Sequence, residues 1–124
     1  MALTMPGASA RNATFTWADL DRSVFTAADL TGAVFREVHL VEADLSYTTA
    51  TNATFEHVDM RRASMGSINL SGAILRFVDL RGADLTDANL NGVIIEKVAV
   101  DNKTVLPDGW AVNQFGFLTQ QLTV

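Results

Sequence analysis

The chain has 124 residues, room for one hydrophobic core, and is 48% apolar and 19% charged, which excludes both a disordered acidic chain and a charge-laced coiled coil. Nine Lys and Arg against fourteen Asp and Glu give a net charge of −5, which argues against nucleic acid as a direct partner. Cysteine is absent, so disulfides, thiolate zinc sites and cysteine nucleophiles are excluded, and no apolar run nears the ~20 residues of a membrane-spanning helix.

In chain order, the first segment is residues 1–12, MALTMPGASARN. It has neither a basic start nor a continuous apolar stretch, so it does not read as a signal peptide, and a cytoplasmic location is expected. Leu3 and Met5 are expected to form an N-terminal cap over whatever core follows.

Residues 13–105 repeat with a period of five. From Phe15 to Val100 every fifth residue is large and apolar except Ala50, and two places before each stands a small or β-branched residue such as Ala13, Ala33 or Val58. A helix advances about 500° in five residues, which would spread the large residues over every face. On a strand an odd period sends them to alternate faces. The pattern is satisfied if the chain turns a corner every five residues and winds into a coil whose turns stack about 4.8 Å apart. The longer period counts the sides. RNATF (11–15), TGAVF (31–35), TNATF (51–55), SGAIL (71–75) and NGVII (91–95) recur every twenty residues, so the coil has four sides and about 4.5 turns.

The units ADL (18–20, 28–30, 43–45, 83–85), ANL (88–90) and ATF (13–15, 53–55) resemble the A(D/N)LXX signature of pentapeptide repeat proteins, and TVLPDGW (104–110) resembles a stretch found where such repeats end. The resemblance implies an all-β fold, a right-handed quadrilateral β-helix. It departs from the pattern at Thr48 and Ala50, which supply little inward volume, so that Leu30 and Leu70 must fill the gap or leave a void. Unlike the gyrase-protecting quinolone-resistance members, this chain carries no loop that breaks the register.

Stacking lets the outer surface be read in columns. On the first side Arg36, Glu56, Arg76 and Glu96 alternate in sign, beside Thr14, Val34, Thr54, Ile74, Ile94 and then Trp17, Glu37, His57, Phe77, Lys97. Trp17, Val34, Ile74, Phe77 and Ile94 place apolar surface outside the core, a candidate interface against the alternative of ordinary surface variation. On the second side His39 lies between Asp19 and Asp59, above Asp79. A metal reading is outweighed there, because Asp or Asn recurs at this position on three sides and serves to bond nearby backbone. Over residues 13–102 the third side carries only Asp44, Asp84 and Asp87, and the fourth only Asp29, an acidic surface with no cation.

The last segment, residues 106–124, leaves the register. Phe115, Leu118 and Leu122 stand at helical spacing with Asn113 as a candidate N-cap, so a short helix is the expectation despite Gly116. It either caps the core or, as the resemblance implies, makes a homodimer, to which Phe117 and Val124 would contribute. No catalytic constellation appears. His39 and His57 lie on different sides, and the hydroxyls of Ser64 and Thr86 have no base beside them. No cofactor is expected. The reading is a non-catalytic scaffold or protein-binding module, not an enzyme. The alternative is a DNA-mimicking modulator of DNA gyrase or another DNA-binding enzyme, which a rod of ~22 Å makes short. Ice binding by the Thr31, Thr51, Ser71, Asn91 column is disfavoured because the threonines do not persist.

Overall fold

The computed structural model describes residues 2–121. Five strands, β1 (Thr14–Thr16), β2 (Val34–His39), β3 (Thr54–Asp59), β4 (Ile74–Asp79) and β5 (Ile94–Glu96), form one parallel sheet in sequential order. Every pair in it joins residue i to residue i+20, from Phe15 with Phe35 to Leu75 with Ile95. Single parallel bridges of the same spacing tie the other three sides, such as Asp19 with His39, Val24 with Asp44 and Asp29 with Thr49. The chain is therefore a four-sided solenoid, all β among the described residues.

The corners explain the five-residue period. The residue two after each large inward one, at every fifth position from Gly7 to Lys97, has a positive φ near 52–73°. Most corners are turns in which the third residue is left-handed and the fourth residue's amide donates to the first residue's carbonyl, as from Ala28 to Phe25 (2.9 Å) and from Ala73 to Leu70 (2.9 Å). Between the first and second sides the ladder continues through the bend. β2, β3 and β4 therefore run six residues with Glu37, His57 and Phe77 left-handed inside them. At several corners an Asp or Asn secures the turn: Asp29, Asp44, Asp84, Asn69 and Asn89 each accept from the amide two residues on.

Inside, the large positions from Phe25 to Leu85 are essentially inaccessible. Phe15, Phe35 and Phe55 stack face to face with centroids 4.8 and 4.9 Å apart, the same distance that separates the coils. At the weak pair, Thr48 and Ala50 are fully enclosed along with Leu30 and Leu70, and the Thr48 hydroxyl donates to the Leu45 carbonyl at 2.8 Å.

Both ends differ from expectation. Residues 4–12 belong to the first coil rather than to a separate lid: Thr4 pairs with Val24 and Ser9 with Asp29. The Leu3 amide donates to the enclosed Ser23 hydroxyl at 3.1 Å. Leu3, Met5, Phe15 and Leu20 consequently remain only partly covered. At the other end the expected short helix is instead an antiparallel hairpin, β6 (Trp110–Val112) with β7 (Leu118–Gln120). Asn113 does not cap a helix. Its side-chain oxygen accepts from the Phe115 and Phe117 amides at 2.9 and 3.1 Å, and Gly116 turns at φ 84°, which closes a tight loop. The hairpin docks antiparallel on the last coil, where Leu118 donates to Val98 and Val100 to Gly116.

Candidate interaction surfaces

The first side brings together most of the apolar residues nominated from sequence. Val34, Thr54, Ile74 and Ile94 are direct neighbours across the sheet, with Ile94 53% exposed. Along the corner beside them His57 stacks on Phe77 with centroids 4.8 Å apart and planes 4° from parallel. Phe77 is still 44% exposed, so its outer face is available. Trp17 stands at the same corner, 82% exposed, and Glu37 and His57 separate it from Phe77. The charge ladder next to the strip pairs Arg36 with Glu56 at 3.5 Å and Arg76 with Glu96 at 3.8 Å. At such exposure each pair contributes at most about 1 kcal/mol.

The C-terminal residues divide. Leu118 is 5% exposed and completes the core, so it is a lid residue and not a contact surface. Phe117 is half-buried beneath the Lys97 ammonium, 5.0 Å from the ring centroid. Phe115, 73% exposed at the tip of the hairpin, and Val112 beside it remain outward. Leu122 and Val124 lie outside the described residues.

The acidic sides are less bare than the sequence suggests. Arg11, just before the first counted repeat, pairs with Asp29 at 3.0 Å, so the fourth side does carry a cation. The Thr31 hydroxyl and amide, at 2.6 and 3.1 Å, together with Arg11 hold the Asp29 carboxyl down to about 2. Thr86 holds Asp84 below the usual range through its hydroxyl (2.5 Å) and then its amide. Burial pushes Asp44 up, but the Ser46 hydroxyl and amide outweigh it and the net direction is down. By bracing their own corners these carboxylates stay anionic to lower pH than a free aspartate. Asp87 is left-handed at its corner and exposed.

On the second side His39 does stand in line with Asp19, Asp59 and Asp79. The Asp59 carboxylate is taken up by Arg61, with Nε at 2.9 Å and Nη2 at 2.8 Å, and Asp79 is gripped the same way by Arg81. Sequence reading missed the consequence at the end of this side, where Arg61, Arg62, Arg81 and Lys103 border a hollow of about 240 Å³ with Gly82 and Asp101. The signal was present in the Arg61–Arg62 and Arg81–Gly82 pairs twenty residues apart.

The sequence matches the family description "Pentapeptide repeats" in eight copies over residues 28–66, 39–76 and 63–98, more than half the chain. It belongs to the pentapeptide repeat family. Its fold is accordingly the right-handed quadrilateral β-helix of that family. Among solved structures this pentapeptide repeat protein is similar to Rfr23 from the cyanobacterium Cyanothece 51142, with 33% identity over 74% of this chain and a TM-score of 0.72; the chain spans 63% of Rfr23. It shares its fold with trypsin-treated QnrB1, a plasmid-mediated fluoroquinolone resistance protein, at 17% identity over 82% of this chain and 78% of that one, TM-score 0.50. HetL from Nostoc sp. strain PCC 7120, involved in heterocyst differentiation regulation, matches at 27% identity over 70% of this chain and 39% of its own, TM-score 0.44. No curated protein matches the sequence.

Proposed function

We propose that the protein is a non-catalytic binding module whose first side, the Val34–Ile74–Ile94 strip with Phe77, meets the apolar face of a protein partner. The observation that carries this reading is a β-branched column, apolar at Val34, Ile74 and Ile94 with Thr54 among them, on a parallel sheet whose neighbouring charges are paired to one another. Backbone ladders hold the column rigid on both edges, so little ordering entropy opposes association. A photo-crosslinking residue placed at 77 is expected to give a discrete covalent adduct, and the same residue at 87 on the opposite side is not. Equal yield at the two positions, or none at 77, would overturn the reading. Sedimentation of the adduct distinguishes a second copy of this chain from a different protein.

The gyrase-directed reading has less support. QnrB1 is below a quarter identical, which speaks to fold alone. Duplex DNA carries one charge per ~1.7 Å of axis, whereas Asp44 and Asp84 stand two coils apart and Asp29 is neutralised by Arg11. A supercoiling assay with and without a fluoroquinolone is expected to show no effect at micromolar protein.

A further inference from the structure

Among the described residues the first coil is covered on one edge only. Leu3, Met5, Phe15 and Leu20 turn inward yet stay partly open, whereas Phe25, Phe35 and Leu40, one coil on, are enclosed. The backbone of that edge is open as well. Val24 and Asp29, in the second coil, reach back to the first: Val24 donates to Leu3 and accepts from Met5, and Asp29 donates to Ala8 and accepts from Ala10. His39 does the same with Ala18 and Leu20, and Val34 donates to Ala13. Thr4, Ser9, Thr14 and Asp19 hold the same columns one coil earlier. Their amides and carbonyls therefore point out of the end of the coil, and none has a partner among the described residues. Such an edge is a template for another strand.

The edge is complementary to itself. A second coil turned over to meet it end to end runs its strands antiparallel to those it meets. A helical ramp inverted about a crosswise two-fold axis also mates with its own copy, step against step. The axis that aligns the steps follows the diagonal of the square through the corner at residues 11–12. Thr4 then faces the second copy's Asp19, and Ser9 faces its Thr14, so the whole outward row is paired. Inside the seam small residues meet large ones, Ala8 against Phe15 and Ala18 against Met5, and Leu3 meets Leu20. Arg11, beside the axis, reaches away from the seam to Asp29 at 3.0 Å, so the two copies of it are not set against each other. The molecule closes its other end with the same device, an antiparallel strand that pairs Phe117 with Ala99 of the last coil. Because that hairpin occupies the far edge, copies do not stack head to tail, and a two-fold pair is the closed assembly that remains.

We propose that the open N-terminal end of the coil docks a second copy of this chain end to end, Thr4 exchanging both backbone hydrogen bonds with the second copy's Asp19 and Ser9 with its Thr14. Each pair occurs twice about the axis. The edge is already ordered by the coil behind it, so little conformational entropy opposes the seam. Covering Leu3, Met5, Phe15 and Leu20 adds the apolar contribution. This end is separate from the Val34–Ile74–Ile94 strip, so the failure of one reading leaves the other standing.

Sedimentation equilibrium of the full chain is expected to give twice the monomer mass at high micromolar concentration. Because the chain has no cysteine, introduced thiols report the seam directly. An oxidised equimolar mixture of Ser9→Cys and Thr14→Cys chains is expected to form a covalent dimer with one of each. Either variant alone is not, since Cα atoms of a hydrogen-bonded antiparallel pair lie about 5.5 Å apart, within disulfide reach, and Ser9 does not face its own copy. Thr14→Pro removes an amide that donates to nothing in its own chain. It should remain folded by circular dichroism and lose roughly tenfold or more in self-affinity. If that variant fails to fold, the cysteine mixture, which leaves the backbone intact, decides alone. A chain that stays monomeric, a mixture without the Ser9–Thr14 adduct, self-adducts of either variant as abundant as the mixed one, or a folded Thr14→Pro chain that associates like the parent would each overturn the proposal.

Discussion

The left-handed corners place unequal demands on the residues that occupy them. Asn12, Gly32, Asn52, Gly72 and Gly92 share one column, and all have φ of 59–70°. The asparagines tolerate that backbone, and each lays its side chain across the glycine of the next coil, so that a Cβ at Gly32 or Gly72 would collide with the carboxamide of Asn12 or Asn52. Gly92 faces only the backbone of Gly72 at 3.8 Å, an ordinary contact. Gly92→Ala should therefore cost only the left-handed penalty, about 1–2 kcal/mol. Gly72→Ala should cost more, because Asn52 must also move. Urea unfolding of the two variants measures the difference, and equal losses would show that the Asn–Gly contact contributes nothing.

At the scale of the element, inward and outward positions adjoin in sequence but differ sharply in environment. Leu70 is fully enclosed, whereas its neighbour Ser71 is half-exposed and takes part through its backbone: its amide donates to the Asn69 side chain and its carbonyl accepts from the Asn52 amide. Leu70→Asp places an unpaired carboxylate in the core and is expected to remove more than about 4 kcal/mol or prevent folding. Ser71→Asp should stay within about 1 kcal/mol, with thermal denaturation as the readout. This contrast was legible because the period of five identifies the inward residues without any knowledge of partners. The hairpin was not legible. Phe115, Leu118 and Leu122 mimic a helical stripe, yet Leu118 is enclosed while Phe115 is exposed, and the decisive Asn113–Gly116 turn depends on hydrogen bonds that spacing does not reveal. Arg11 was missed for a similar reason: its reach of eighteen residues to Asp29 crosses from one coil to the next, outside the counted repeats. The hollow over Gly82 also depended on side-chain direction, which the column order alone does not give.

Across the whole molecule the same small device is repeated, and its effects add. Asp29, Asp44 and Asp84 all have carboxyls lowered by bonds that exist only when the corners are formed. A carboxyl lowered on folding binds fewer protons when native than when unfolded, so stability rises with pH through its titration. For Asp29 that contribution is fully present above the ordinary value of 3.8 and lost as pH falls toward about 2. Unfolding free energy is thus expected to be nearly flat from pH 7 to 5 and to fall below about pH 4. The triple variant Asp29→Asn, Asp44→Asn, Asp84→Asn should flatten that fall, which urea titrations at stepped pH would detect. An unchanged acid limb would remove the corner carboxylates as its cause.

A coil built on identical steps has no natural length, since every finished turn is a template for the next. Here the spacing is 20 residues from Asp79 to Ala99 but 21 from Asp84 to Val105, because the turn around Asp101–Thr104 takes one residue more. That single residue puts the chain out of phase with its own template. The next segment no longer finds the corner rhythm beneath it and folds back as a hairpin of opposite direction. The coil thus stops on its C-terminal side at one miscounted step, in the way a growing crystal is halted by a single misplaced layer.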